Sequence, residues 1–426
     1  FSNAIGNDLI LQADSAGNTG GIVIVGLISD NGAAFLNDVT IDVFSVGGTL
    51  GNITVFTGIN TDSNGADVSD IVLKGRIETP STISFDNEAG GDETSGDIDL
   101  SFGLFSASNT GVDLAFTTAT TGSAGDVFLP QLDGAAGNFV NDLTVNTAGA
   151  VDGNVIFAND VLLDSNGADL ADLTLTGVST ARPTVSLTID VEQGNDEDSG
   201  SIDFSGITLT AIGGGKDLTL STETSQNSGD IKLGLVTNSP SFINDLTLNS
   251  LGGLSSGLIE LNGSINIDSS GADDATFTVN GDRVQLNAAV TIDTDNVSAL
   301  AGDIIFNVAE VFANASGLIL TLDTSSGVFG SEGDIILPLL SNDANARTFL
   351  GGLVTNSASG TTILNGNVFV EGAITLEGDV KLNASNIILD TDSLAVLSTT
   401  GSINLINATI SAAGAGTDLS IQTNSA

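Results

Sequence analysis

Leu143-Thr144-Val145-Asn146 alternates apolar and polar side chains with the two-residue period of a half-buried β-strand. The same beat runs through Asp97-Ile98-Asp99-Leu100 and Leu218-Thr219-Leu220-Ser221, whereas no convincing stretch carries apolar residues at the helical spacing i, i+3, i+4, i+7. Val, Ile, Leu and Ala supply nearly all the apolar matter, Phe is the single aromatic type, and Gly, Asn, Asp, Ser and Thr fill most of the remainder. β-Branched residues suit a pleated surface, and Gly, Asn and Asp tolerate tight corners between short strands. The chain is therefore expected to be all-β.

Outward from this strand, landmarks return about once per hundred residues. Gly111-Val112-Asp113-Leu114 is matched by Gly6-Asn7-Asp8-Leu9, Gly215-Lys216-Asp217-Leu218, Gly317-Leu318-Ile319-Leu320 and Gly416-Thr417-Asp418-Leu419. Phe139-Val140-Asn141-Asp142 is matched by Phe35-Leu36-Asn37-Asp38 and Phe242-Ile243-Asn244-Asp245, with a degenerate copy at Phe349-Leu350-Gly351-Gly352. These landmarks divide the sequence into four units, 6–110, 111–214, 215–316 and 317–415, and the start of a fifth, 416–426. Within the second unit, strand cores are read near Leu114, Val127, Leu143, Val155, Leu173, Val185 and Ile202. Such short, closely spaced segments leave no room for helical crossovers. They predict a single-stranded parallel β-helix, or β-solenoid, running continuously from 1 to 426, with ~20 residues per coil and about 20 coils. Pro130 and Pro338 follow matched strands and Pro80 and Pro183 precede them, as expected of residues confined to strand ends. Phe35, Phe139, Phe242 and Phe349, with Phe85, Phe157 and Phe204, are expected inside the coils.

Composition narrows the function. The 426 residues hold 53 Asp and Glu against 8 Lys and Arg, a formal charge of −45, with no Cys, His, Met, Trp or Tyr. Disulfides, thiolate or histidine metal sites and an imidazole base are excluded. So few cations argue against nucleic-acid binding by phosphate neutralisation. No apolar run reaches membrane-spanning length. A hydrophobic content of 41% nevertheless supplies a core, which sets the chain apart from disordered acidic sequences.

The runs Asn141-Asp142-Leu143-Thr144-Val145-Asn146, Gly401-Ser402-Ile403-Asn404-Leu405 and Ala412-Ala413-Gly414-Ala415-Gly416-Thr417-Asp418-Leu419-Ser420-Ile421 resemble the shafts of filamentous-haemagglutinin-like adhesins and related giant bacterial surface proteins. That resemblance implies a right-handed parallel β-helix, secreted or displayed at the cell surface, that builds or presents extended fibres. The expected role is thus a non-catalytic structural shaft associating with other copies end to end or side to side. Both termini fall inside a unit, Phe1 to Gly6 aligning with Phe312 to Gly317 and Gln422 to Ala426 with Gln12 to Ala16. The expectation is a segment of a longer chain or a subunit whose ends stack on other copies.

Two chemical alternatives are carried forward. Asp62-Ser63-Asn64-Gly65-Ala66-Asp67, Asp164-Ser165-Asn166-Gly167-Ala168-Asp169 and Asp268-Ser269-Ser270-Gly271-Ala272-Asp273 resemble the oxygen-rich start of calcium loops. A second cluster, Asp86-Asn87-Glu88-Ala89-Gly90-Gly91-Asp92-Glu93, with its counterpart Asp190-Val191-Glu192-Gln193-Gly194-Asn195-Asp196-Glu197, offers further oxygens. Asp62, Asn64, Asp67, Asp164, Asn166, Asp169, Asp268 and Asp273 are therefore the candidate calcium ligands, and a calcium-dependent adhesin is the alternative reading. The same residues are also ordinary turn formers. A polysaccharide-active β-helix would need paired carboxylates, for which Asp97 with Asp99 and Asp196 with Asp198 qualify if the backbone there is extended. Recurrence of the acidic clusters by unit favours a structural role, since a catalytic centre breaks symmetry.

Overall fold

The computed structural model describes residues 7–13, 22–26, 28, 36–43, 50–63, 68–91, 93–133, 138–167, 169–269, 273–295, 300–326, 332–341, 348–391, 401–414 and 416–423. Phe35, Asn64 and Asp67 lie outside them. The chain divides into two compact units, 1–203 with 224–226, and 204–223 with 227–426. Each is a parallel β-solenoid, and the described residues contain no helix.

In the first unit, three parallel faces are built by strands that pair with the third strand onward. One face carries Leu36–Asp42, Ile71–Lys74, Ile98–Asp99, Val127–Leu129, Asn154–Phe157 and Thr180–Pro183. A second carries Asn52–Val55, Arg76–Thr79, Leu104–Ala107, Gln131–Leu132, Val161–Leu162 and Leu187–Asp190. The third carries Gly58–Asn60, Ile83–Asp86, Val112–Thr117, Val140–Asn146 and Leu173–Thr176. The second unit repeats the arrangement: Ile243–Asn249, Ala275–Asn280, Ala301–Asn307 and Ile335–Leu337 form one of its faces.

The two units together carry about 13 turns, fewer than the about 20 expected. Most turns take three strands, and paired residues on adjacent turns are separated by 24 positions at Asn52 and Arg76, 32 at Val39 and Ile71, and as few as 18 at Thr361 and Asp379. The strands the sequence hides are the shortest. Gln131–Leu132 and Val161–Leu162 have two residues each, too few for an alternation to register. Val185 lies outside any strand and is 39% exposed; the strand there is Leu187–Asp190.

The hundred-residue repeat is not a whole number of turns. In the first unit Asn7–Gln12 pairs with Leu36–Asp42 on the first face, yet its repeat counterpart Val112–Thr117 sits on the third. In the second unit the counterparts Lys216–Ser221, Ile319–Asp323 and Asp418–Gln422 lie on three different faces. Each repeat ends one face short of complete turns, so equivalent motifs move around the solenoid instead of stacking.

The core follows the strand alternation. In Val140–Asn146, Leu143 and Val145 are buried, Thr144 is exposed. Phe85 stacks on Phe116 of the next turn with ring centroids 5.2 Å apart, and Phe277 meets Phe306 edge-on at 6.0 Å. Burying a ring of this size contributes roughly 2 to 3 kcal/mol. Phe139, Phe157, Phe204 and Phe349 are buried as expected, whereas Phe242 is half-buried and its ring covers Gly214. The corners close by hydroxyl bonds: Thr118, Thr294 and Thr324 Oγ1 donate to the carbonyls of Gly125, Gly302 and Gly333 at 2.8, 2.9 and 2.9 Å. Pro130 and Pro338 fall at the corner between two faces, where the missing N–H interrupts no ladder.

Candidate functional site

Acidic side chains gather in two ways, as ladders along a face edge and as paired loops at corners. Two rungs of the first unit's ladder are Gly-Asp steps immediately before a strand, while Asp38 follows Asn37 and Asp70 follows Ser69. Asp97 follows Gly96 and precedes Ile98; Asp126 follows Gly125 and precedes Val127. Each aspartate Oδ1 accepts the N–H of the residue one turn on: Asp38 from Asp70 at 3.0 Å, Asp70 from Asp97 at 2.7 Å, Asp97 from Asp126 at 2.8 Å, and Asp126 from Asn154 at 2.9 Å. In the second unit Asp303 accepts from Asp334 and Asp334 from Thr361. The glycine is required by packing, since a Cβ on Gly125 would collide with the Gly96 carbonyl oxygen and one on Gly333 with that of Gly302.

At the corners, loops of successive turns lie on each other. Asp62 Oδ1 accepts the Gly90 N–H at 3.1 Å, and Asp164 Oδ1 accepts that of Gly194 at 2.9 Å. Asn166 and Asp169 face each other across a turn: the Asn166 N–H donates to the Asp169 carbonyl at 2.9 Å, and Gly167 has φ +69°. The carboxylate of Glu197, one turn on, accepts the Gly167 N–H. Between these loops sits Glu192, only 1% exposed, which accepts N–H bonds from Ser165 at 3.3 Å, Asp196 at 3.4 Å and Glu197 at 3.2 Å. Glu88 takes the equivalent place in the preceding repeat, 2% exposed and bonded to the N–H groups of Ser63 and Glu93 at 3.2 and 3.3 Å. Buried carboxylates are tolerable only when their oxygens are occupied, and backbone N–H groups occupy these.

Burial, reinforced by the concentration of negative charge, shifts titrations. Burial, then the charges of Glu192, Asp196 and Glu197, pushes the Asp164 carboxyl up to about 6, against the lowering effect of the Gly194 N–H. Asp293 is likewise pushed up to about 6 by burial and by Asp323, Asp295 and Asp268. Burial, with Glu88 beside it, also raises Asp86.

Of the expected calcium ligands, Asp164, Asn166 and Asp169 share one loop, but the carboxylates nearest Asp164 come from the following turn. Asp268 is 1% exposed and accepts the Ser269 N–H at 3.0 Å; Asp268 and Asp273 bracket the third loop. Asp62 is described without Asn64 and Asp67. Among the described residues no group of three or more carboxylates is arranged to hold a metal ion. The carboxylate pairs weighed for acid–base chemistry fare differently. Asp97 and Asp99 flank Ile98, with Asp99 Oδ1 taking the Ser101 N–H and hydroxyl at 2.9 and 2.6 Å. Asp196 and Asp198 lie in a loop, so the extended backbone that would align them is not there.

Two of the sparse cations lie beside a carboxylate. Arg76 Nε lies 3.2 Å from Glu78 Oε1, and Arg283 Nε 3.8 Å from Asp282 Oδ2. Lys74 Nζ sits 5.5 Å from the Phe102 ring centroid, and Arg182 Nε is buried without a hydrogen-bond partner. The sequence reading placed Glu88 and Glu192 in acidic clusters; it missed the Gly-Asp ladder and the burial of these two carboxylates between the corner loops. Their signals are Gly-Asp steps 29 positions apart and the Asp-x-Glu spacing shared by Asp86 with Glu88 and Asp190 with Glu192. Compared with family models, curated proteins and solved structures, the chain matches none.

Proposed function

We propose that this chain is a structural shaft of an extracellular or cell-surface fibre or adhesin. The observation that carries the reading is repetition: corners, ladders and faces recur turn after turn, and the carboxylates are engaged by backbone N–H groups. Backbone pairing on three faces around a dry aliphatic core gives mechanical stiffness. The charge of −45 keeps such a surface soluble and discourages indiscriminate sticking. The resemblance to filamentous-haemagglutinin-like shafts supports the same reading.

The test is immunogold electron microscopy with antibodies against the purified chain, on intact and on lysed source cells. Label on fibres at the surface of intact cells is expected. Label that appears only after lysis would overturn the proposal.

A second reading, a calcium-dependent adhesin, is supported by the repulsion that Glu192, Asp196 and Glu197 exert on Asp164, which a divalent cation would relieve.

A further inference from the structure

The ladder of Asp38, Asp70, Asp97 and Asp126 places like charges on consecutive turns of one corner of the first unit. Parallel strands lie ~4.8 Å apart, well inside the ~8 Å screening length at physiological salt. The Oδ1 atom of each rung is committed to the next turn's N–H, which holds the carboxylates in line and prevents them from swinging apart. The ladder ends on Asn154, a neutral rung. Its N–H and amide both donate to Asp126 Oδ1, at 2.9 and 2.8 Å, and its own Oδ1 accepts the Thr180 hydroxyl. In the second unit Asn367, also immediately before a strand, accepts the Ile388 N–H one turn on with its Oδ1 at 2.9 Å, so a neutral side chain can hold the backbone bond.

We infer that this ladder is a proton-responsive fastening, joining successive turns of the first unit more tightly as the surroundings acidify. Asp97 is its centre. The groups facing it are Asp70 on the preceding turn, Asp126 on the following turn and Asp99 on its own strand. The cation of the adjacent strand Ile71–Lys74 is at the far end, with Lys74 Nζ over the Phe102 ring. Burial raises the Asp97 carboxyl above its ordinary range; the Asp126 N–H opposes this, and the charges of Asp126, Asp70 and Asp99 reinforce it. The sign follows from linkage. A carboxyl raised in the folded state binds its proton more readily there than in the unfolded chain. Its contribution to stability is complete below the unfolded value and is lost as the pH rises through the folded one. Acidification from neutrality therefore strengthens the joint, and the protonated oxygen gains the ability to donate to a neighbouring rung.

Thermal unfolding of the full chain, followed by far-UV circular dichroism at pH 7.5 and 5.5 and constant ionic strength, tests this. The native chain is compared with Asp97→Asn and with Asp152→Asn, whose exposed carboxylate accepts its own loop's Gly149 N–H. The native Tm is expected to rise on acidification. Asp97→Asn should raise the Tm at pH 7.5 by on the order of one degree and narrow the gap between the two pH values, while Asp152→Asn leaves that gap intact. A native Tm that falls on acidification, or a gap that Asp97→Asn does not narrow, overturns the inference. Carboxyl ¹³C NMR on the unmodified chain gives a reading independent of the variant's folding. Titration of Asp97 above the ordinary ~3.9 of aspartate is expected, and titration at or below it contradicts the fastening.

Discussion

At the residue scale, the structure turns on a glycine followed by an aspartate. The glycine lets one corner settle on the corner before it, and the aspartate converts the next turn's otherwise unpaired N–H into a charge-assisted bond. Gly125 is the clearest case, because an added methyl would overlap the Gly96 carbonyl, backbone that cannot swing aside. Gly125→Ala is expected to lower the unfolding free energy by about 2 kcal/mol, the usual cost of forcing a methyl into filled space, read as a lower denaturant midpoint. A midpoint equal to that of the native chain would remove the close-approach argument. Alternation around Leu143 was enough to read the strands and the buried faces. The turn length was not legible from it, because the Gly-Asp steps at Asp97 and Asp126, 29 positions apart, are outweighed by longer and better conserved-looking runs such as Asn141 to Asn146.

At the scale of elements, corner loops act in pairs. Glu192 is the joint between the loop 164–169 and the loop that follows Leu187–Asp190, holding the N–H groups of Ser165, Asp196 and Glu197 together. Sequence reasoning grouped Asp164 with Asn166 and Asp169 because they are neighbours along the chain. It read Glu192, Asp196 and Glu197 as a separate cluster, because they reach Asp164 only when the next turn is laid down. The calcium reading is decided at this scale. Titration calorimetry with Ca²⁺ at pH 6 is expected to give heat that Asp164→Asn diminishes, accompanied by proton release because Asp164, lying near 6, is about half protonated there. Absence of heat, together with a melting temperature unmoved by chelator, would leave the loops as carboxylate-capped turns.

At the scale of the whole molecule, two periods are superposed: a turn of three strands and a longer sequence repeat that ends one face short of complete turns. Equivalent acidic loops consequently occupy different corners within the first unit. Asp62 lies between the third and first faces, and Asp164 between the second and third. This spreads negative charge around the solenoid, and it explains why a repeat visible in sequence misstates the coil. The same slip separates the present account from a 20-residue coil, because the two place different residues side by side. In the three-strand turn Thr144 pairs with Thr174, both exposed. The chain has no cysteine, so introduced pairs report without background. Oxidation of the double variant Thr144→Cys with Thr174→Cys is the most direct measurement, compared with Thr144→Cys with Leu162→Cys, whose spacing suits the shorter coil. Adjacent parallel strands bring Cα atoms within the ~4.4–6.8 Å that a disulfide spans. The three-strand turn predicts an intramolecular disulfide in the 144/174 pair and none in the 144/162 pair; the reverse pattern would contradict it.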